Sequence, residues 1–159
     1  MCYQLNLFEE IKNGTIDYNP MIKKSGVCKY CNSLLRVRPK YLDKRLGELA
    51  IDIYKSRKKT FRGDDIWQDR KKIADFQKLK YFGIIKKFGH CRWELTYTGI
   101  RFIEGKARLP DRVFVLNNRV IDDSDKWIDI FRLNDRWQKE YSDYAKDYFP
   151  KLNFDAQVA

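Results

Sequence analysis

The sequence predicts an α+β fold, on three observations. Apolar residues recur at helical spacing in two segments, two short alternating strands surround Gly89-His90, and a second hairpin surrounds Asn117-Asn118. A first helix is expected from about Lys40 to Lys55, with Pro39 marking its start. Leu42, Leu46, Leu49 and Ile53 follow at spacings of four, three and four and make one apolar stripe. Gly47 within it costs about 1 kcal/mol of propensity and leaves room for a close helix contact. Gly63 ends a short extended piece, and Asp64 or Asp65 is the expected N-cap of a brief helix through Ile66 and Trp67. A second long helix is expected from about Asp69 to Phe82. Ile73, Phe76, Leu79 and the stem of Lys80 share one side of it, while Arg70, Lys71, Ala74 and Lys78 share the other. Gly83 then stops the helix. "IIKKF" and "CRWELT" read as strands, with Trp93 and Leu95 alternating against Arg92 and Glu94. Further on, "VFVL" and "RVI" form the second hairpin. Trp137, Tyr141, Tyr144 and Tyr148 stripe a C-terminal helix that ends before Pro150.

Composition supports a folded chain with one main domain. At 159 residues, with 43% hydrophobic residues and 24 aromatic side chains, it is too apolar to stay disordered despite its charge. The net charge of +11 is concentrated in the middle: residues 21–110 hold 24 basic and 9 acidic side chains, whereas both flanks are slightly acidic. Such a field favours polyanions, and its alternative use is only to keep a surface solvated. No basic region leads into an apolar run at the N-terminus, and no run approaches the roughly 18 apolar residues of a membrane span. The expectation is a soluble, cytoplasmic protein with no membrane partner and with reduced cysteines.

Helix, short helix, helix and hairpin in that order is the plan of a winged helix-turn-helix core. The stretch "DFQKLKYFGIIKKF…CRWELTYTGIRFIEGKARLP" also resembles a group of uncharacterised phage and prophage proteins. In that group a helix ending "KL…GLI" leads into a wing strand, followed by a "T-x-x-G-x-x-F-x-x-G" helix. The likeness spans about residues 65–120 and rests on Leu79, Gly83, Ile84, Ile85, Trp93, Leu95, Thr96, Gly99, Phe102, Gly105, Pro110 and Val113. Members also tend to carry a Cys-x-x-Cys turn before the first helix. The resemblance implies a winged-helix fold and a viral or mobile-element source. Three segments are expected: an N-terminal arm with a knuckle (1–39), the winged-helix domain (40–109), and a C-terminal hairpin with an acidic aromatic helix (110–159).

For duplex DNA, the candidate recognition helix offers Arg70, Lys71, Ala74, Gln77 and Lys78, and the wing offers Lys86, Lys87 and Arg92. Arg and Lys suit guanine edges, Gln suits adenine, and wing cations neutralise phosphates. Lys58, Lys59 and Arg62 add a basic run leading into the motif. Asp69 and Asp75 flank the helix face and would repel phosphate. The aromatic stripe of the last helix is read as core packing or as the seam of a homodimer.

"VCKYCNS" places Cys28 and Cys31 at the spacing of a metal knuckle, with Asn32 suited to a positive φ. Only Cys2, Cys91 and His90 remain as further donors of that kind. Three readings stay open: one zinc ion shared with Cys2, Cys91 or His90, a zinc ion bridging two chains, or a metal-free turn. Enzymatic signals are weak, since there is one histidine, no phosphate loop and no nucleophile elbow. Asp64-Asp65 and Asp122-Asp123-Asp125 could hold Mg²⁺ for a nuclease, but the first pair reads as a cap and the second set as a solvated loop. The expected function is therefore non-enzymatic: a phage-encoded, duplex-DNA-binding transcription regulator. The alternative is a virus-encoded interaction or inhibitor protein acting on a nucleic-acid-handling complex of the host.

Overall fold

The computed structural model describes residues 26–27, 34–35, 37–116 and 118–148. Within them the chain is α+β, mixing helices with small antiparallel sheets. The strands are β1 (Gly26–Val27), β2 (Leu34–Leu35), β3 (Arg38–Tyr41), β4 (Ile85–Lys87), β5 (Trp93–Leu95), β6 (Leu109–Pro110), β7 (Arg112–Leu116), β8 (Arg119–Asp123) and β9 (Trp127–Ile128). The α-helices are α1 (Lys44–Ser56), α2 (Arg70–Asp75), α3 (Tyr97–Ile103), α4 (Ile130–Leu133) and α5 (Asp135–Tyr148), with 3-10 helices at Gly63–Asp65 and Phe76–Phe82.

Two compact units divide the chain, and neither is continuous in sequence. One joins the described residues of Met1–Leu42 to Pro110–Lys126, and the other joins Asp43–Leu109 to the described residues of Trp127–Ala159. In the first, β7 pairs with β3 on one side and β8 on the other, all antiparallel. Val113 to Leu116 are all buried on β7, so side chains on both faces of this central strand are covered. Asn118 turns the β7–β8 hairpin with φ 64°, the conformation that Asn tolerates. Pro39 stands in β3 opposite Phe114 rather than at the start of a helix. β3 is an edge strand, where a residue without an N–H does little harm.

The helix expected from Lys40 begins instead at Lys44, because Asp43 caps it: its carboxylate accepts from the Leu46 N–H at 2.9 Å. Leu46, Leu49 and Ile53 point into the core of the second unit, and Gly47 lets α4 approach, with Ile130 and Leu133 against its missing side chain. The single helix expected over Asp69–Phe82 is α2 for its first turns and a 3-10 helix thereafter. Phe76, Leu79 and Phe82 are buried along it, and Gly83 ends it at φ 68°.

The "T-x-x-G-x-x-F-x-x-G" pattern has a local cause at each position. The Thr96 hydroxyl oxygen accepts from the Gly99 N–H at 2.9 Å and caps α3. A Cβ on Gly99 would overlap the Ile84 carbonyl, so the helix can lie against the chain entering β4 only without a side chain there. Phe102 is fully buried, and Gly105 takes φ 72° with the Phe131 ring against it. The aromatic face of α5 closes this core. Trp137 is 1% exposed, and its ring meets those of Tyr54, Tyr141 and Tyr144 at centroid distances of 6.3, 5.4 and 5.8 Å. Trp137, Tyr141 and Tyr144 of the expected stripe thus pack with Tyr54 of α1 in the chain's own core.

Candidate nucleic-acid interface

Phe61 forms an isolated antiparallel bridge with Trp93, with the Phe61 N–H on the Trp93 carbonyl at 2.9 Å and the Trp93 N–H on the Phe61 carbonyl at 2.8 Å. This lays the Thr60–Arg62 segment on the edge of β5 that β4 leaves open. Phe76 locks α2 and its 3-10 extension to the same layer, packing edge-on against Trp93 at 5.8 Å and tilted against Phe61 at 5.9 Å. Gly63 permits this approach, since a Cβ there would press on Phe76 and Ile73. Trp67 donates its indole N–H to Asp52 of α1 at 2.9 Å, tying the intervening turn to the first helix.

On this frame the expected cations divide into two groups. Arg70, Lys71, Lys59 and Lys87 are exposed and form no ion pair among the described residues. Ala74 and Gln77 are exposed beside them on the same helical segment. The other group is already engaged. Lys78 pairs with Asp75 at 2.6 Å, and Asp75 also holds Arg45 of α1 at 2.5 Å. Lys86 pairs with Glu94 across the hairpin at 2.7 Å, and Arg62 with Asp64 at 3.4 Å. Lys58 donates to the Asp65 carbonyl at 2.9 Å, and Arg92 to the Thr60 hydroxyl at 3.3 Å. The Lys78 hydrogen bond, with the Arg45 charge behind it, holds the Asp75 carboxyl below the usual carboxylate range. Asp75 is therefore a neutralised anchor between α1 and α2 rather than a bare repulsive charge. Arg45 escaped sequence reasoning because its partner lies 30 residues on, which no local spacing encodes.

Asp69 is the N-cap of α2, accepting from the Lys71 N–H at 2.8 Å. Asp65 accepts from the Arg62 N–H at 2.8 Å, so the Asp64-Asp65 pair is occupied in shaping the turn. A separate open cleft of about 410 Å³ lies between α1 and α5, but its charges are interlocked: Glu140 holds Lys55 at 2.7 Å and Arg136 at 2.6 Å, and Asp52 holds Lys72 at 3.5 Å.

At the tip of the β4–β5 hairpin, sequence reading singles out His90 and Cys91 but not Phe88. Gly89 and Cys91 both take positive φ, 64° and 56°, and the Phe88 N–H closes the turn on the Arg92 carbonyl at 2.8 Å. Phe88 is 51% exposed there. Cys91 is an exposed free thiol whose Sγ lies 3.6 Å from Nδ1 of His90. Of the proposed zinc donors, Cys2, Cys28 and Cys31 lie outside the described residues. Among the described residues no three His, Cys, Asp or Glu side chains gather as a metal would need, and no helix is long and apolar enough to cross a membrane. Comparison of the chain with protein-family models, with curated proteins and with solved structures finds no significant match.

Proposed function

We propose that this is a non-enzymatic winged-helix protein that binds duplex DNA, acting in the cytoplasm of a host cell as a phage-encoded transcription regulator. The observation that carries the reading is the bridge of Phe61 to Trp93, which sets the segment between α1 and α2 beside the hairpin in the order Phe61, β5, β4. In that arrangement α2 is the recognition element and the β4–β5 hairpin is the wing. Arg70 and Lys71 on α2, Lys87 on the wing and Lys59 before the bridge are the cations free to meet phosphate or base edges. Ala74 leaves space between cations, and Gln77 suits an adenine edge. Lys58, Arg62, Lys78, Lys86 and Arg92 supply field more than contact, since each already has a partner. The resemblance of residues 65–120 to phage and prophage proteins supports the source. A structural zinc ion held by Cys28 and Cys31, completed by Cys2 or by Cys91 and His90, belongs to the same reading, since thiolate and imidazole are zinc donors. Metal content of the purified protein against its Cys28→Ser variant tests that part.

The test of DNA binding is anisotropy of a labelled random-sequence duplex against salt. If four free cations each neutralise one phosphate, log K should fall with log salt at a slope of about −3.6. The double variant Arg70→Glu with Lys71→Glu should lose binding at about 50 mM salt, where non-specific contact is strong. No binding by the unaltered protein under that condition overturns the DNA reading and leaves the interaction protein acting on a host complex.

A further inference from the structure

We propose that the tip of the β4–β5 hairpin is a base-stacking site, so that the protein prefers a duplex end or junction with unpaired bases over a continuous blunt duplex. The inference rests on the nucleic-acid reading above and specifies the partner of the same surface. The pairing register of the hairpin, Ile85 with Leu95, Lys86 with Glu94 and Lys87 with Trp93, brings Phe88 opposite Arg92, where the Phe88 N–H meets the Arg92 carbonyl. Alternation along β4 then separates two environments. Ile85 is buried, whereas Lys86 and Phe88, two residues apart, share the outward face.

Phe88 has no ring partner among the described residues, although most aromatic side chains of this unit are engaged with one another. Phe61, Trp67, Phe76 and Trp93 form one cluster, and Tyr54, Phe131, Trp137, Tyr141 and Tyr144 another. An apolar ring left half in water at the end of a ribbon does not stabilise the core, and alternation sets it on the same face as Lys86 and as the exposed Arg92 opposite it. A ring with flanking cations is the combination that binds unpaired nucleic acid: the ring stacks on a base face, and the cations follow the phosphates on either side. A continuous duplex offers no base face to a ring at its surface, whereas a frayed end or fork does. The local field excludes an acidic stacking environment, because Glu94, the acidic residue of the hairpin, is already paired with Lys86.

The test compares one duplex in two forms, blunt and carrying an unpaired fork, by anisotropy at about 50 mM salt, with the full chain and its Phe88→Ala and Phe88→Trp variants. Phe88 is exposed enough that truncation should leave the thermal midpoint unchanged, which circular dichroism checks. The unaltered protein should bind the fork more tightly than the blunt duplex. Phe88→Ala should weaken fork binding by about 5- to 100-fold while leaving blunt-duplex binding within about twofold, and Phe88→Trp should retain the preference. Equal binding of both forms, or a fork preference untouched by Phe88→Ala, overturns the stacking site while leaving duplex binding in place. Failure to bind either form removes the nucleic-acid reading itself, and the stacking site with it.

Discussion

Replacing Trp137 by Phe isolates one hydrogen bond on which the second unit depends. The last carbonyls of any helix lack intrahelical donors. At the end of α3 the chain supplies them from three directions: the Lys106 N–H reaches the Arg101 carbonyl at 2.8 Å, the Gly105 N–H reaches that of Phe102 at 2.9 Å, and the indole N–H of Trp137 reaches that of Ile103 at 2.8 Å. Ile103 and Trp137 are both buried, so water cannot take the place of the indole without opening the core. Phenylalanine keeps most of the ring contact with Tyr54, Tyr141 and Tyr144 but removes the donor. A buried acceptor left without a partner costs about 1–3 kcal/mol, and the lost part of the indole adds roughly 1 kcal/mol of packing. The expected loss is thus about 2–4 kcal/mol, read as a shift of the urea midpoint followed by far-ultraviolet circular dichroism. Trp127→Phe is the control: Trp127 is 50% exposed, and its replacement should stay within about 0.5 kcal/mol. A loss below about 1 kcal/mol for Trp137→Phe, similar to the control, would refute the claim that the Ile103 carbonyl depends on this indole.

Charge reversal should separate the engaged from the free cations: Lys78→Glu sets two carboxylates beside Arg45 and should cost on the order of 1 kcal/mol, whereas Lys71→Glu should be neutral in thermal melts. Equal midpoints for the two variants would remove the distinction on which the interface rests. In acid, Asp75 and Glu140 contribute with one sign. Their carboxyls are held below the usual range, Asp75 first by the Lys78 hydrogen bond and Glu140 first by that from Lys55, so the folded state binds fewer protons than the unfolded chain. That stabilisation is complete above the ordinary carboxylate pKa of about 4 and is lost as pH falls through the depressed folded values. Urea midpoints between neutral pH and about pH 3 should therefore fall less steeply for Asp75→Asn than for the unaltered chain, and identical profiles would contradict the assignment. Two glycines should also rank by mechanism. Gly83→Ala meets open space and carries only the strain of φ 68°, about 1–2 kcal/mol, whereas Gly99→Ala must displace the Ile84 backbone and should lower the thermal midpoint further. The reverse order would show that α3 does not depend on that close approach.

Much of the local structure was legible in the sequence because local chemistry decides it. Gly83 as a helix stop, Asn118 in a tight turn, Thr96 before α3, the stripe of Leu46, Leu49 and Ile53, and the strands around Gly89 each follow from the φ preferences, capping groups or apolar spacing of a few neighbouring residues. The helix starts at Lys44 rather than at Pro39, because the Asp43 carboxylate caps it there and Pro39 takes its place in an edge strand. The basic character of the middle of the chain was equally plain, since charge is a sum over composition.

What the sequence could not decide is which of those charges are free. Ion pairs such as Arg45 with Asp75, or Lys55 with Glu140, form between residues 30 and 85 positions apart, and only the packing of α1 against α2 and α5 brings them within reach. The same holds for the aromatic stripe of α5. Its spacing fixed that Trp137, Tyr141 and Tyr144 share a face, but the rings of Tyr54 and Phe131 that meet that face come from elsewhere in the chain. Phe88 is the converse case, an apolar residue just past β4 that alternation from the buried Ile85 sets on the outward face with Lys86. The tertiary structure leaves it in water because the hairpin extends past its last buried pair. Sequence determined the elements and the total charge, which depend on neighbours and sums; tertiary structure alone decided which side chains remain available, because availability is set by contacts between distant parts of the chain.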